Sequence, residues 1–298
     1  MPEQKIDLAR TKLTLDRMID PRIDISANLK KIDAMVSRIK ARMPRNASQI
    51  RRMEILQEFI YKPGRWNGNQ IFQYDLNDPL GRTIGNKLLP NYLSTRLGNC
   101  VSMPLLFIIL GERIGIDLTV ASAPSHVFVK YRGDDGHYYN FEATSGGAVL
   151  DSSLRRDFPM TDLAVANGLY LRALTKRETV ALMLGTLMEF YSERGWYERL
   201  NALTSLVLEK FPNDHGAMLH KGYAYYGMVR RDFINRYPTP TFVPAAERAR
   251  MLELNRNNRE WFARAEALGW REPTKEIDEG YLQRVERVKS IQQREKAE

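Results

Sequence analysis

The sequence predicts an α+β fold: an N-terminal helical layer, a core that mixes a helix with strands, and an all-helical C-terminal region. Apolar residues recur at helical spacing before residue 60 and again after residue 154, whereas β-branched and alternating patterns are confined to residues 116–142. Pro and Gly punctuate residues 61–81 between them. The 298 residues, 43% hydrophobic and 27% charged, suffice for one large domain or two ordinary ones with real cores. The expected divisions are residues 1–60 for the N-terminal helices, 61–170 for the mixed core and 171–298 for the helical region.

Three helical stretches open the chain. The second carries Leu29, Ile32, Val36, Ile39 and Met43 behind Ser26 as a possible N-cap, and the third carries Ile50, Met53, Leu56 and Ile60 on one stripe. From Tyr61 to Gly81 the pattern breaks at Pro63, Gly64, Gly68 and Pro79, with exposed-looking Trp66, Phe72 and Tyr74; this reads as a long ordered loop that could wrap a cleft. Asn99 then signals an N-cap for a helix bearing Leu105, Leu106, Ile108, Ile109 and Ile114, with Pro104 tolerated in its first turn. Ile116 to Ala121 and His126 to Tyr131 read as strands around Ala123-Pro124-Ser125. A turn at Gly133-Asp134-Asp135-Gly136 leads to a third strand, Tyr138 to Glu142.

Beyond Leu154, stripes run through Val180, Leu184, Leu187 and Tyr191, then Leu200, Leu203 and Val207, then Leu219, Gly222 and Tyr225. The last segment, Glu272 to Glu298, is mostly charged and is expected to be a solvent-facing helix that frays.

Composition excludes several function classes. One Cys rules out an internal disulfide, multi-thiolate zinc sites and iron–sulfur clusters. The net charge of +9 is interleaved with acids, as in Arg51-Arg52-Met53-Glu54, so solvated helix faces rather than nucleic-acid binding are expected. The longest unbroken apolar run, Leu105 to Leu110, falls far short of the ~18 residues of a membrane span. The N-terminus has no apolar secretory region, so the default compartment is cytoplasmic, or secreted or periplasmic had a signal been removed. His137 lies in a hairpin, and His215 and His220 are five apart, which points them to different helix faces instead of to one metal. No phosphate loop is legible.

One arrangement has the parts of a catalytic site. Cys100 directly follows Asn99, so the partial positive charge of the helix N-terminus favours its thiolate. If the hairpin turn centres on Asp134, residue 126 faces residue 142, and His126, Phe128, Asn140 and Glu142 share one face while Val127, Val129, Tyr139 and Phe141 fill the core. An imidazole then lies beside a polar orienting group, Glu142 directly across or Asn140 on the diagonal. A thiol, a His and an acid or amide in this order follow the logic of nucleophile, general base and orienter.

The segments Leu97-Gly98-Asn99-Cys100-Val101-Ser102-Met103-Pro104, Pro124-Ser125-His126-Val127-Phe128-Val129 and Asn140-Phe141-Glu142-Ala143-Thr144-Ser145-Gly146-Gly147 resemble the transglutaminase-like superfamily, and within it the SirB-one type of domain. The resemblance covers roughly residues 10–165. It implies a papain-like α+β core with Cys100 as nucleophile, His126 as base and Glu142 as the acidic third member, where the superfamily usually has Asp. Segments near Tyr191, Pro212, Gly222 and Tyr225 resemble tetratricopeptide repeats, whose helix pairs stack at a period of about 34 residues.

The function these readings imply is a cysteine hydrolase or acyltransferase acting on a peptide or carboxamide, needing no cofactor and no metal. The Cys100 backbone N–H would be the first oxyanion donor, with Asn86, Asn91 and Trp66 as further candidates. Many members of the SirB-one type lack the Cys. The alternative is therefore an inactive scaffold that binds a partner protein through the tetratricopeptide-like helices.

Overall fold

The computed structural model describes residues 2–274 together with 279, 280, 282, 283, 285–287, 289 and 290. The described residues form two compact units. The first draws on residues up to 160, on 170–179 and on those beyond 272; the second comprises 161–169 and 180–271.

The first unit opens with helices α1 (Leu8–Ile19), α2 (Ile25–Lys40) and α3 (Gln49–Tyr61), each capped by an oxygen-bearing side chain: Asp7, Asp24 and Ser48. Ser26, expected to cap α2, lies inside it, because Asp24 upstream accepts the Ala27 N–H at 2.9 Å. Met43 falls past the end of α2, and Ile50 is 48% exposed instead of facing the core.

Buried Asn67 folds the following loop back onto α3, donating to the carbonyls of Phe59 and Lys62 and accepting from the Gly64 N–H. Phe72, expected at the surface, is 1% exposed, packed edge-on against Tyr92 beneath the Arg96 guanidinium. The loop then forms strand β1 (Gln73–Tyr74). Two short helices follow, α4 (Ile84–Lys87) and α5 (Leu89–Thr95), and then strand β2 (Leu97–Gly98), which pairs in parallel with β1. A buried Lys12–Asp16 ion pair ties α1 to this region, Lys12 donating to the Lys87 carbonyl at 2.9 Å and Asp16 accepting the Leu89 N–H at 2.8 Å.

Helix α6 (Ser102–Arg113) is buried on all sides from Ser102 to Gly111, which is why its sequence reads as a nearly continuous apolar run. The antiparallel sheet is ordered β3 (Leu118–Ala123), β4 (His126–Arg132), β5 (Tyr138–Glu142), β6 (Gly147–Ala148). In central β4, His126 to Lys130 are all buried. On the face of Phe141, the Phe107 ring of α6 packs at 4.7 Å. The outer edge of β3 is covered by residues 171–174, whose Leu171 and Leu174 N–H groups donate to Ser122 and Val120. Tyr139, expected in the core, is 43% exposed and donates to Asp135 in the turn of the hairpin. Helix α7 (Asp151–Asp157) closes the main run of this unit.

The second unit is helical. Its elements are α8 (Asp162–Ala166), α9 (Lys176–Glu193) from Val180 onward, α10 (Tyr197–Lys210), α11 (His215–Val229) and α12 (Ala245–Ala267). Gly227 lets α11 approach the Tyr197 ring, since a Cβ there would stand 2.2 Å from it. Met228, Val229, Phe233, Val243 and Leu254 form a buried cluster. The charged tail expected as a fraying helix lies largely outside the described residues, although Val285 is buried. Among the described residues no helix is long and apolar enough to cross a membrane.

Candidate functional site

Asn99 turns the chain into α6. Its Oδ1 accepts the N–H groups of Val101 (3.0 Å) and Ser102 (3.1 Å), its carbonyl accepts from Met103, and its own N–H donates to Ser102 Oγ at 3.1 Å. Ser102 Oγ in turn donates to the Asn86 carbonyl at 2.9 Å. Cys100 is thus held in the turn that leads into α6, two residues before its start, half-buried and free, its Sγ 3.9 Å from the Ser125 carbonyl. On its other flank, the Asp75 N–H donates to the Gly98 carbonyl at 2.8 Å, so the 61–81 segment is laced just after β1 to the residues leading into the thiol.

Ser125 sits in the two-residue turn that joins β3 to β4, in the left-handed region at φ 54°. The next residue is His126. Its side chain is 8% exposed; Nε2–H donates to Glu142 Oε2 at 2.6 Å, and Cys100 is near enough to act on the charge of the ring. The ring also lies flat on Phe158, 4.3 Å between centroids and 8° from parallel.

The hairpin register differs from the expected one. Val129 faces Phe141 and Lys130 faces Asn140, so the turn centres on Asp135, and extending the ladder sets Glu142 opposite Phe128 and residue 144 opposite His126. The shift moves each pairing by two residues and keeps every side chain on its expected face. Glu142 therefore reaches His126 on the diagonal, not from directly across. Asn140, offered as the diagonal alternative, is turned elsewhere: Oδ1 accepts from Lys130 and Nδ2 donates to Asp151, each at 2.6 Å.

The Glu142 carboxylate is held at both oxygens. Oε1 accepts the Thr144 N–H at 2.9 Å and the Thr144 hydroxyl at 2.7 Å, leaving Oε2 for His126. Helix α3 pins this turn, Tyr61 donating to the Ala143 carbonyl and Gln57 to that of Gly146, both at 2.6 Å. Gly146 lies in the left-handed region at φ 75°, and a Cβ there would meet the Tyr61 ring at 3.0 Å.

The electrostatics follow from these contacts. Burial opposes charge on His126, but its interaction with Cys100 and its hydrogen bond and ion pair with Glu142 outweigh it and push the imidazole up to about 10. Burial likewise opposes charge on Glu142, yet the bonds from His126 and Thr144 hold its carboxyl below the usual range. Together these favour an imidazolium paired with the Glu142 carboxylate.

The remaining sequence candidates have other contacts. Asn86 Nδ2 donates to Asp75 and Asp78 at 3.1 and 3.0 Å, and Asn91 donates to Asn86 at 3.3 Å. Trp66 lies under the Arg42 guanidinium, 3.9 Å from its ring centre. Sequence reasoning missed Thr144 as a partner of Glu142, although it quoted the residue. It also missed Phe158, which lies beyond the strands and carries no local signal.

A transglutaminase-like superfamily model matches residues 26–185, more than half of the chain. Two curated relatives, UPF0162 proteins of Xylella fastidiosa strains Temecula1 and 9a5c, are each 22% identical over 237 residues, covering 77% of this chain and 80% of the relative. Among solved structures, menin, in a crystal structure that reveals its binding site for the Mixed Lineage Leukemia protein, covers 89% of this chain and 67% of its own, with a TM-score of 0.45 and 12% identity. A likeness of that size carries no argument. The family match spans the Cys100 turn, the His126 strand and the Glu142 turn: the chain belongs to the transglutaminase-like superfamily.

Proposed function

We propose that residues 61–170 form the catalytic core of a cysteine hydrolase or acyltransferase of the SirB-one type, acting on a peptide or carboxamide. In this reading the Cys100 thiolate attacks the carbonyl carbon and the backbone N–H of Cys100 stabilises the developing oxyanion. The C–N bond then breaks, His126 gives its proton to the leaving amine, and a thioester remains on Cys100. Water or a second amine, deprotonated by His126, resolves the thioester and returns the thiol. Glu142 keeps the imidazole oriented and stabilises its charged form.

The observation that supports this reading is the His126 ring itself, bonded to Glu142 through Nε2 at 2.6 Å while the Cys100 sulfur lies 3.9 Å from the carbonyl of the preceding residue, Ser125. The test is iodoacetamide labelling of the single thiol across pH 5–9, in the wild type, His126→Ala and Glu142→Ala. Rapid labelling at pH 6 that collapses in His126→Ala is expected. Profiles that coincide in all three proteins, or labelling that waits for unfolding, would sink the enzyme.

A further inference from the structure

Glutamate carries one more rotatable bond than aspartate, and the carboxylate of Glu142 crosses a diagonal to reach its partner. The extra length makes the reach possible. The extra torsion would leave the carboxylate free to swing away unless a second contact fixed it. Thr144 supplies two donors to the oxygen that His126 does not use, and the turn carrying Thr144 is itself tied to α3 through Tyr61 and Gln57.

We infer that Thr144 is a positioning residue of the proposed reaction: its hydroxyl locks Oε1 of Glu142, so that Oε2 stays on His126 and the thiol proton passes to the imidazole. This rests on the catalytic reading above. Thr144 touches neither thiol nor substrate; it acts through Glu142 on the sharing of a proton between Cys100 and His126. The backbone N–H remains in any variant, so the hydroxyl can be removed by itself.

The experiment compares the full-length wild type with Thr144→Val, Thr144→Ser and His126→Ala, following the rate of Cys100 alkylation across pH 5–9 and the ring titration of His126 by NMR. Valine keeps the branched shape and removes the donor; serine keeps the donor and removes a methyl. Thr144→Val is expected to label roughly tenfold more slowly at pH 6, the loss of one hydrogen bond to a charged group, with its profile and the His126 titration both displaced. Thr144→Ser should track the wild type. Should Thr144→Val fail to fold, Thr144→Ala reads the same loss.

Wild-type behaviour in Thr144→Val would overturn the inference while leaving the triad standing. So would equal slowing in the valine and serine variants, which would assign the effect to packing. A wild-type profile indifferent to His126→Ala would remove the triad, and Thr144 with it.

Discussion

Glu142 meets His126 on a diagonal of the β4–β5 ladder, its Oε2 2.6 Å from Nε2 although the paired position opposite His126 belongs to residue 144. Diagonal neighbours in an antiparallel pair stand about 7–8 Å apart, beyond a short side chain but within reach of a longer one. The glutamate is thus matched to this register. Glu142→Asp, the replacement that would restore the superfamily's usual acid, is expected to slow Cys100 labelling at pH 6 nearly as much as Glu142→Ala. Wild-type labelling by the aspartate variant would show that the diagonal does not matter.

The paired charges set a pH window for stability. His126 holds its proton up to about 10 in the folded chain against 6.5 ordinarily, so its contribution is complete below 6.5 and is lost as pH rises through about 10. Glu142, held below its ordinary 4.5, contributes above that value and loses its contribution as pH falls. Between pH 7 and pH 10 the wild type should therefore lose more stability than His126→Gln, as read from urea midpoints. Parallel losses would remove the ion pair from the account.

Phe158 covers the His126 ring at 4.3 Å. Replacing it by Ala removes a stacked pair worth about 0.5–1.5 kcal/mol beyond the area it buries, and opens the His126–Glu142 bond to water. A loss of about 2 kcal/mol in chemical denaturation is expected, with Phe158→Tyr close to wild type. A neutral Phe158→Ala would mean that the stacked ring contributes nothing to the site.

The Lys12–Asp16 pair lies far along the sequence from the chemistry but under the segment that carries Asn86. Lys12→Met strands a buried carboxylate and should destabilise the chain by about 3–5 kcal/mol. Adding Asp16→Leu should recover part of that loss, because the uncompensated charge goes with it. Additive losses in urea unfolding would contradict this account.

Much of the site was legible in the sequence because its parts sit on strong local signals. Asn99 stands before an apolar run and its side chain holds the turn into α6, although the helix itself begins at Ser102 behind Val101; β4 and β5 flank a Gly-Asp-Asp-Gly turn, so side-chain parity survived a register shift of two residues. What was not legible depends on distant chain. Asp24 displaced Ser26 because two competent caps stood two residues apart. Phe72 reads as an exposed loop aromatic until Tyr92 and Arg96 are known to enclose it. No periodicity could place Phe158 on His126.

The three members of the proposed triad also differ in how far along the chain their supports lie. Cys100 is set by the turn at Asn99 and Ser102, and His126 by a two-residue hairpin, whereas the Glu142 turn depends on Gln57 and Tyr61, 89 and 82 residues away from the carbonyls they hold. Closing loops of that length costs more chain entropy than forming a hairpin or a helical turn and comes later as a chain folds. Nucleophile and base therefore acquire their local geometry before the acid is anchored. A partly folded chain would carry the thiol without the His126–Glu142 ion pair, which makes the completed turn at residues 142–146 a marker of full folding.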